Sequence, residues 1–406
     1  MSEYLINDTT MSDIADQMRR ISGRTNSLNV AEILEIFSRT QGSVKTDGSY
    51  NAEVFDIDGS PIKSGMYDTG EVFAMPTAPE IDGMVSQGWA CSQHLDDGHY
   101  TFVDDSSIMA GALYTPIDDA FVIQVDVDEP NCYFFIYGII PVDKITIDWG
   151  DGTTNTTVSH TYANVGTYTI KIYGQVHCRV LDDDVNDEDW SSTNGWHCNI
   201  LSNRDGVFTN VKKVNFPSYF SFIKKGFCEG LHIEELTLNN GLEKIGGGAF
   251  MNCESLEYVA MPNTIQALGD SLFAECTNLK KVILPHSITE IPKHMFFDCA
   301  SLQEIIIPDS VSNIGIQAFA MNSDNAVALD TIVLPSVTYI GEGCFLRRKL
   351  TNCVLMANEV CSVGSVIFSI YPDNIYVPDE LVNSYKAHEG WKRYASCIKP
   401  ISQYKK

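Results

Sequence analysis

Apolar positions along this chain follow three periods, and each period marks a different architecture. Near the start, Ile14, Met18 and Ile21 fall at i, i+4 and i+7, one stripe of a helix that Gly23 stops. Asn29 then caps a second helix, with Glu32 as its capping-box partner and Val30, Ile33, Leu34 and Phe37 as its buried face. Two helices this short cannot bury their stripes alone. They need each other and a further surface, from another copy of the chain or another protein. Over 119–180 the period drops to two. In 120–127, Val122 and Gln124 face the opposite side from Ile123 and Val125. Strand-like runs follow at 132–138, 144–154, 159–162 and 166–173, and the turn 148–152 carries glycines free to take positive φ. Short strands joined by such turns predict a β-sandwich.

The second half has a period of 23. Phe227, Phe250, Phe273, Phe296 and Phe319 keep that step, as do Cys253, Cys276 and Cys299, and Pro262, Pro285 and Pro308. Three residue types in phase predict stacked coils, a solenoid that presents surface rather than chemistry. Each coil reads as a short strand before the proline, a turn, a second extended piece and a helical turn at the phenylalanine. Strands stacked about 4.8 Å apart make a slab roughly 35 Å long from roughly seven coils. The step fails once: Phe319 to Leu329 is 10 residues where Phe296 to Leu302 is 6, an insertion at 322–328.

The remaining stretches are less regular. Residues 43–118 are rich in turns and poor in helix signals, which predicts a small β module with Trp89 as a core anchor. Residues 182–189 hold six carboxylates in eight positions and read as an exposed acidic linker.

Three resemblances can be set on these residues. The run from Trp149 to Ile170, through Gly150-Asp151-Gly152 and Ser159-His160-Thr161-Tyr162, resembles the signature of PKD domains, which are immunoglobulin-like sandwiches. In that family the motif is structural, and the modules space or bind. The pattern Phe-x-x-Cys-x-x-Leu ending in proline resembles BspA-like leucine-rich repeats, the type found in bacterial surface proteins and phage structural proteins. The segment 375–395 resembles the closing piece of such arrays. Residues 12–37 look like a segment common near the N-termini of phage tail and virion proteins. Together the resemblances imply a phage virion protein.

Composition narrows the partners. A net charge of −26 over 406 residues argues against nucleic acid and against anionic lipid. It fits an exposed protein kept soluble by its charge. The first residues carry no basic and apolar leader, and no run of about 18 apolar residues is present. The 12 cysteines read mostly as free thiols, since those in phase fall at equivalent core positions.

Candidate chemistry is sparse. Asp182, Asp184, Asp187 and Asp189 could hold calcium, a hard cation that wants several oxygens, but they lack the EF-hand spacing; a solvated loop is the better reading. His177-Cys178 and His197-Cys198 offer zinc ligands, yet neighbours on a strand point apart. No histidine keeps phase with the cysteines, and no catalytic motif is present. Trp190 and Trp196 could stack on sugar rings or pack at a domain junction. Asn322, Ser323, Asp324 and Asn325 stand on the insertion, where a rigid scaffold can carry a binding loop.

The expectation is a mostly β, multidomain chain: a helical docking segment (1–42), a β module (43–118), a PKD-like sandwich (119–180), an acidic linker (181–208) and a capped solenoid (209–406). Its expected role is non-enzymatic, a fibre or appendage on the exterior of a virion, made in the host cytoplasm. It would be a homo-oligomer in the particle, joined to other virion proteins by the helices and facing a host polysaccharide or protein. No catalytic, cofactor or nucleic-acid site is expected, and no membrane span. A capsid decoration or a bacterial surface adhesin is the alternative.

Overall fold

A computed structural model describes residues 49–404, except 69, 82–83, 97, 103–106, 137–138, 143, 179–200, 204–205, 208–209 and 323–328. The helical pair expected over 1–42 lies outside these residues. Within them the chain is mostly β, with one short α-helix, Val382–Ala387.

The first module is a four-stranded sheet in the order Pro61–Asp68, Ser49–Phe55, Ile108–Pro116, Met84–Cys91. The two middle strands are parallel and the outer pairs antiparallel. Every residue of Ile108–Pro116 is buried. Its small-residue run Met-Ala-Gly-Ala suits burial on both faces. Ile108 and Ala110 join the module's own core with Val54, Phe73 and Phe102. Met109 and Leu113 join a second cluster with Tyr258, Ala260 and Ile283 of the solenoid. Trp89 is only partly buried and packs at the margin of the module's core rather than anchoring it.

Over 119–178 two sheets face each other. One holds Thr154–Asn155, Thr146–Asp148, Gly166–Tyr173 and Phe121–Val127; the other starts with Ser159–Tyr162 and Cys132–Ile136. The alternation seen in the sequence fills the space between them with Ile123, Val125, Phe134, Ile147, Trp149 and Tyr162. The second sheet continues through Leu201–Asn203 and Gly206–Val207. The described end of the acidic stretch 181–208 is therefore strand, because its amides find partners in the sandwich.

The first sheet does not stop at the sandwich. Phe121–Val127 pairs antiparallel with Val211–Asn215, which pairs parallel with Glu235–Thr237 of the next coil. One six-stranded sheet thus runs from sandwich to solenoid. The core is continuous as well: Phe121 stacks on Phe220 at 5.4 Å and packs near Phe216 and Phe227. The sandwich closes the amino end of the solenoid, whose apolar coil edge would otherwise face water.

Inside the solenoid, Phe250, Phe273, Phe296, Phe319, Phe345 and Phe368 stack with centroids 5.2–5.9 Å apart. Thiols of Cys253, Cys276 and Cys299 donate to carbonyls of Cys228, Phe250 and Phe273 on the preceding coil. Close backbone approach forces glycine at Gly269, where an added Cβ would lie 2.1 Å from the nitrogen of Gly247. At the carboxyl end, the Tyr385 hydroxyl accepts from the Cys361 amide at 2.9 Å and Trp391 Nε1 donates to the Cys361 carbonyl at 2.6 Å. The Tyr394 hydroxyl accepts from the Phe368 amide at 3.2 Å. These side chains stand in for the main chain of a further coil, satisfying groups that a bare end would orphan.

Candidate recognition surface

Each coil strand points alternate residues into the core and out of the slab. By strand register, and by the 23-residue step where no pairing joins two coils, Lys213, Glu235, Tyr258, Lys281 and Glu304 form one outward row; Asn215, Thr237, Ala260, Ile283 and Ile306 form a second. The module lies over these rows. Across the contact, Lys281 Nζ sits 3.6 Å above the ring of Phe55, 3.2 Å from Glu304 and 3.6 Å from Glu53. Burial, then the neighbouring charge of Glu304, raises the Glu53 carboxyl above its ordinary range.

A third row follows the strands. Ser218, Asn240, Asn263, His286 and Asp309 occupy equivalent positions three or four residues past the strand ends in successive coils, and each meets another part of the chain. Ser218 donates from its amide and hydroxyl to Asp119 at 2.6 and 2.8 Å. Asn240 donates to the Gln87 carbonyl at 2.9 Å. With its amide turned to satisfy both groups, Asn263 donates to the Cys91 carbonyl at 2.9 Å and accepts from the Cys91 amide at 3.2 Å. The His286 ring meets His94 edge to face at 5.4 Å, and Asp309 accepts from Gln93. Burial, then His94, lowers the pKa of His286, while burial raises that of Asp309 against the bond from Gln93.

Beyond the insertion the outward row continues through Thr331, Asn352 and Asn374, and Lys399, opposite Tyr376 in the next row, reaches across to its end; all four are only partly buried. Asn352 donates to Thr331 Oγ1 at 3.0 Å, Asn374 to Asn352 Oδ1 at 2.8 Å, and Lys399 to Asn374 Oδ1. Tyr376 packs on Tyr404 alongside at 5.0 Å. This is a fixed ladder of amides and hydroxyls beside an aromatic pair, able to exchange hydrogen bonds with a polar partner.

Of the residues singled out in the sequence, Asn322 has a structural post. Its amide and side chain donate to the two oxygens of Asp298 at 3.0 and 3.2 Å, and its carbonyl accepts from Arg347. It anchors the start of the insertion. Ser323, Asp324 and Asn325, the acidic residues Asp182, Asp184, Asp187 and Asp189, and Trp190 and Trp196 lie outside the described residues. The turn at 148–152 is consumed by its own fold. Asp148 accepts from Gly150, Asp151 from Thr153 and His160, and the Tyr162 hydroxyl donates to the Trp149 carbonyl at 2.7 Å.

Among the described residues no group of three or more His, Cys, Asp or Glu is placed to hold a metal ion, and no helix is long and apolar enough to cross a membrane. The ten cysteines whose side chains are described are free, and burial pushes the thiols of Cys91 and Cys299 up to about 12. The third row escaped the sequence analysis because its members share a position and not a residue type. The signal was there: a polar side chain at the coil period, directly after the repeated proline in four of the five coils.

Residues 205–326 match the BspA type leucine rich repeat region in six copies. Among solved structures, a leucine rich cell surface protein from Faecalibacterium prausnitzii is similar at 26% identity, covering 41% of this chain and 37% of that one, with a TM-score of 0.26. A leucine-rich repeat protein from Bacteroides ovatus is similar at 16% identity, covering 59% of this chain and 70% of that one, with a TM-score of 0.28. No curated protein matches.

Proposed function

We propose that this chain is a non-enzymatic recognition protein displayed on a surface, adhering through its leucine-rich-repeat slab to a host-cell polysaccharide or protein. The observation that carries this reading is the ladder Thr331–Asn352–Asn374–Lys399, polar groups held at coil spacing on a scaffold closed at both ends. Rigid mounting lowers the entropy lost on binding, and many copies would multiply weak contacts. The buried thiols with raised pKa favour a packing role for cysteine over a nucleophilic one.

The carrier in this reading is a phage particle, on whose exterior the chain forms a fibre or appendage. Residues 1–42 dock it to other virion proteins in several copies, and the sandwich is a PKD-like module. This rests on the sequence resemblances at 12–37 and 149–170. A bacterial surface adhesin is the second reading, favoured by the BspA type repeats themselves. Quantitative mass spectrometry of purified particles against washed cell envelopes separates the two. Enrichment in particles, lost on deletion of residues 1–42, supports the virion reading; enrichment in envelopes overturns it. Under either carrier, Asn352→Ala with Asn374→Ala lowers adhesion to host cells several-fold with the fold intact.

A further inference from the structure

The module 49–116 and the sandwich meet the solenoid in opposite ways. The sandwich shares a hydrogen-bonded sheet and one continuous core with it. The module keeps a core of its own and meets the coils through a separate seven-residue apolar cluster, flanked by Lys281 and by the polar contacts of the third row with 87–94. Six buried side-chain polar atoms lack a hydrogen bond among the described residues, and four lie on this contact: Glu53 Oε2, Asn215 Oδ1, Thr237 Oγ1 and the Tyr258 hydroxyl. A settled core rarely leaves such groups unpaired. The Glu53–Lys281 pair, at 3.6 Å, is too long for a hydrogen bond.

The connection between the two bodies is also uneven. From Asp118 onward the chain is pinned, Asp118 to Lys171 at 2.9 Å and Asp119 to Ser218. Ile117, just before, is 71% exposed. The connection is therefore the single turn 116–119, held across Pro116–Ile117 by one backbone hydrogen bond from the Asp119 amide to the Pro116 carbonyl at 2.9 Å, and the pivot lies there.

We propose that residues 49–116 form a reversible cover, which docks on and lifts from the strand face of the first coils as one body while sandwich and solenoid stay fused. Lifting bares Thr237, Tyr258, Lys281 and Glu304 and extends the open ladder of the later coils toward the sandwich. What binds there rests on the recognition reading above; the motion itself does not.

Thiol labelling of the full chain tests it. Ile283 is 1% exposed beneath Gly111, and Ile283→Cys shortens it without crowding the contact. With a water-soluble maleimide under native conditions, the introduced thiol is expected to react at least about 100-fold faster than Cys276, which only global unfolding exposes. Gly111→Phe is a wedge, since even a Cβ there would lie 2.1 Å from the Tyr258 hydroxyl. It is expected to speed the labelling about 10-fold further. Tyr258→Phe removes an unpaired hydroxyl and is expected to slow it a few-fold. Equal labelling of the introduced thiol and Cys276 overturns the proposal, because the contact would then open only when the whole chain unfolds.

Discussion

Arg348 donates from Nε to the carbonyl of Phe319 at 2.8 Å, and from Nη2 to that of Cys299, 49 residues earlier, at 2.9 Å. The guanidinium is fully buried, and burial lowers its pKa. In the preceding coils the inward donors are thiols. Where the insertion breaks the step, the position due for a cysteine is Asn322, drawn out to Asp298. Arg348, three residues after Phe345 as Cys299 is after Phe296, holds the cysteine's place in the next coil and reaches two carbonyls where a thiol reaches one. Arg348→Met should leave the buried Phe319 carbonyl unsatisfied and Cys299 with only the Leu302 amide, lowering unfolding stability by about 1–3 kcal/mol, read by urea denaturation. Arg348→Lys should recover little, since one ammonium cannot reproduce the planar fork.

The carboxyl cap should be as demanding. Trp391 is fully buried, packs on Tyr385 at 5.3 Å and satisfies Cys361. Trp391→Ala is expected to cost about 3–5 kcal/mol and to raise hydrogen exchange in the last coils first.

The sandwich turn predicts an acid limit. Burial opposes ionisation of Asp151, but hydrogen bonds from Thr153 and His160 hold its carboxyl below the usual range. A depressed folded value means the contribution is present above the unfolded value and lost as pH falls through the folded one. Asp151→Asn should flatten the stability profile on the acidic side, measured by thermal melting between about pH 5 and 2.

Glu229 predicts the opposite slope. Burial, then the charge of Glu275, raises it to about 7. Its unfolded form ionises first, so stability falls as pH rises from the ordinary carboxylate range and levels off above about 7. Glu229→Gln should remove that fall.

The coils were legible in the sequence because a 23-residue step repeats residue identity, and identity repeats only where core geometry repeats. The fused sheet was not. Val125 pairs with Val211 across 86 residues, and nothing local to either strand announces the other. The module's contact was hidden for a related reason. Asn240, Asn263, His286 and Asp309 each read singly as an exposed turn residue. Only their shared bearing on the strand and loop at 87–94 makes them a row. Ile108–Pro116 did carry a trace, an apolar run with no polar face, as a strand covered on both sides should.

The six-stranded sheet also gives folding a direction. A chain made amino end first completes Phe121–Val127 before any coil exists. That strand offers an edge on which Val211–Asn215 can nucleate, and each coil then supplies the edge for the one after. The sandwich is thus a seed, the coils grow from it in order of synthesis, and the aromatic cap ends the growth. Transplanted without its seed, the solenoid would have to start from a single coil, the step for which a stack has no neighbour to lean on.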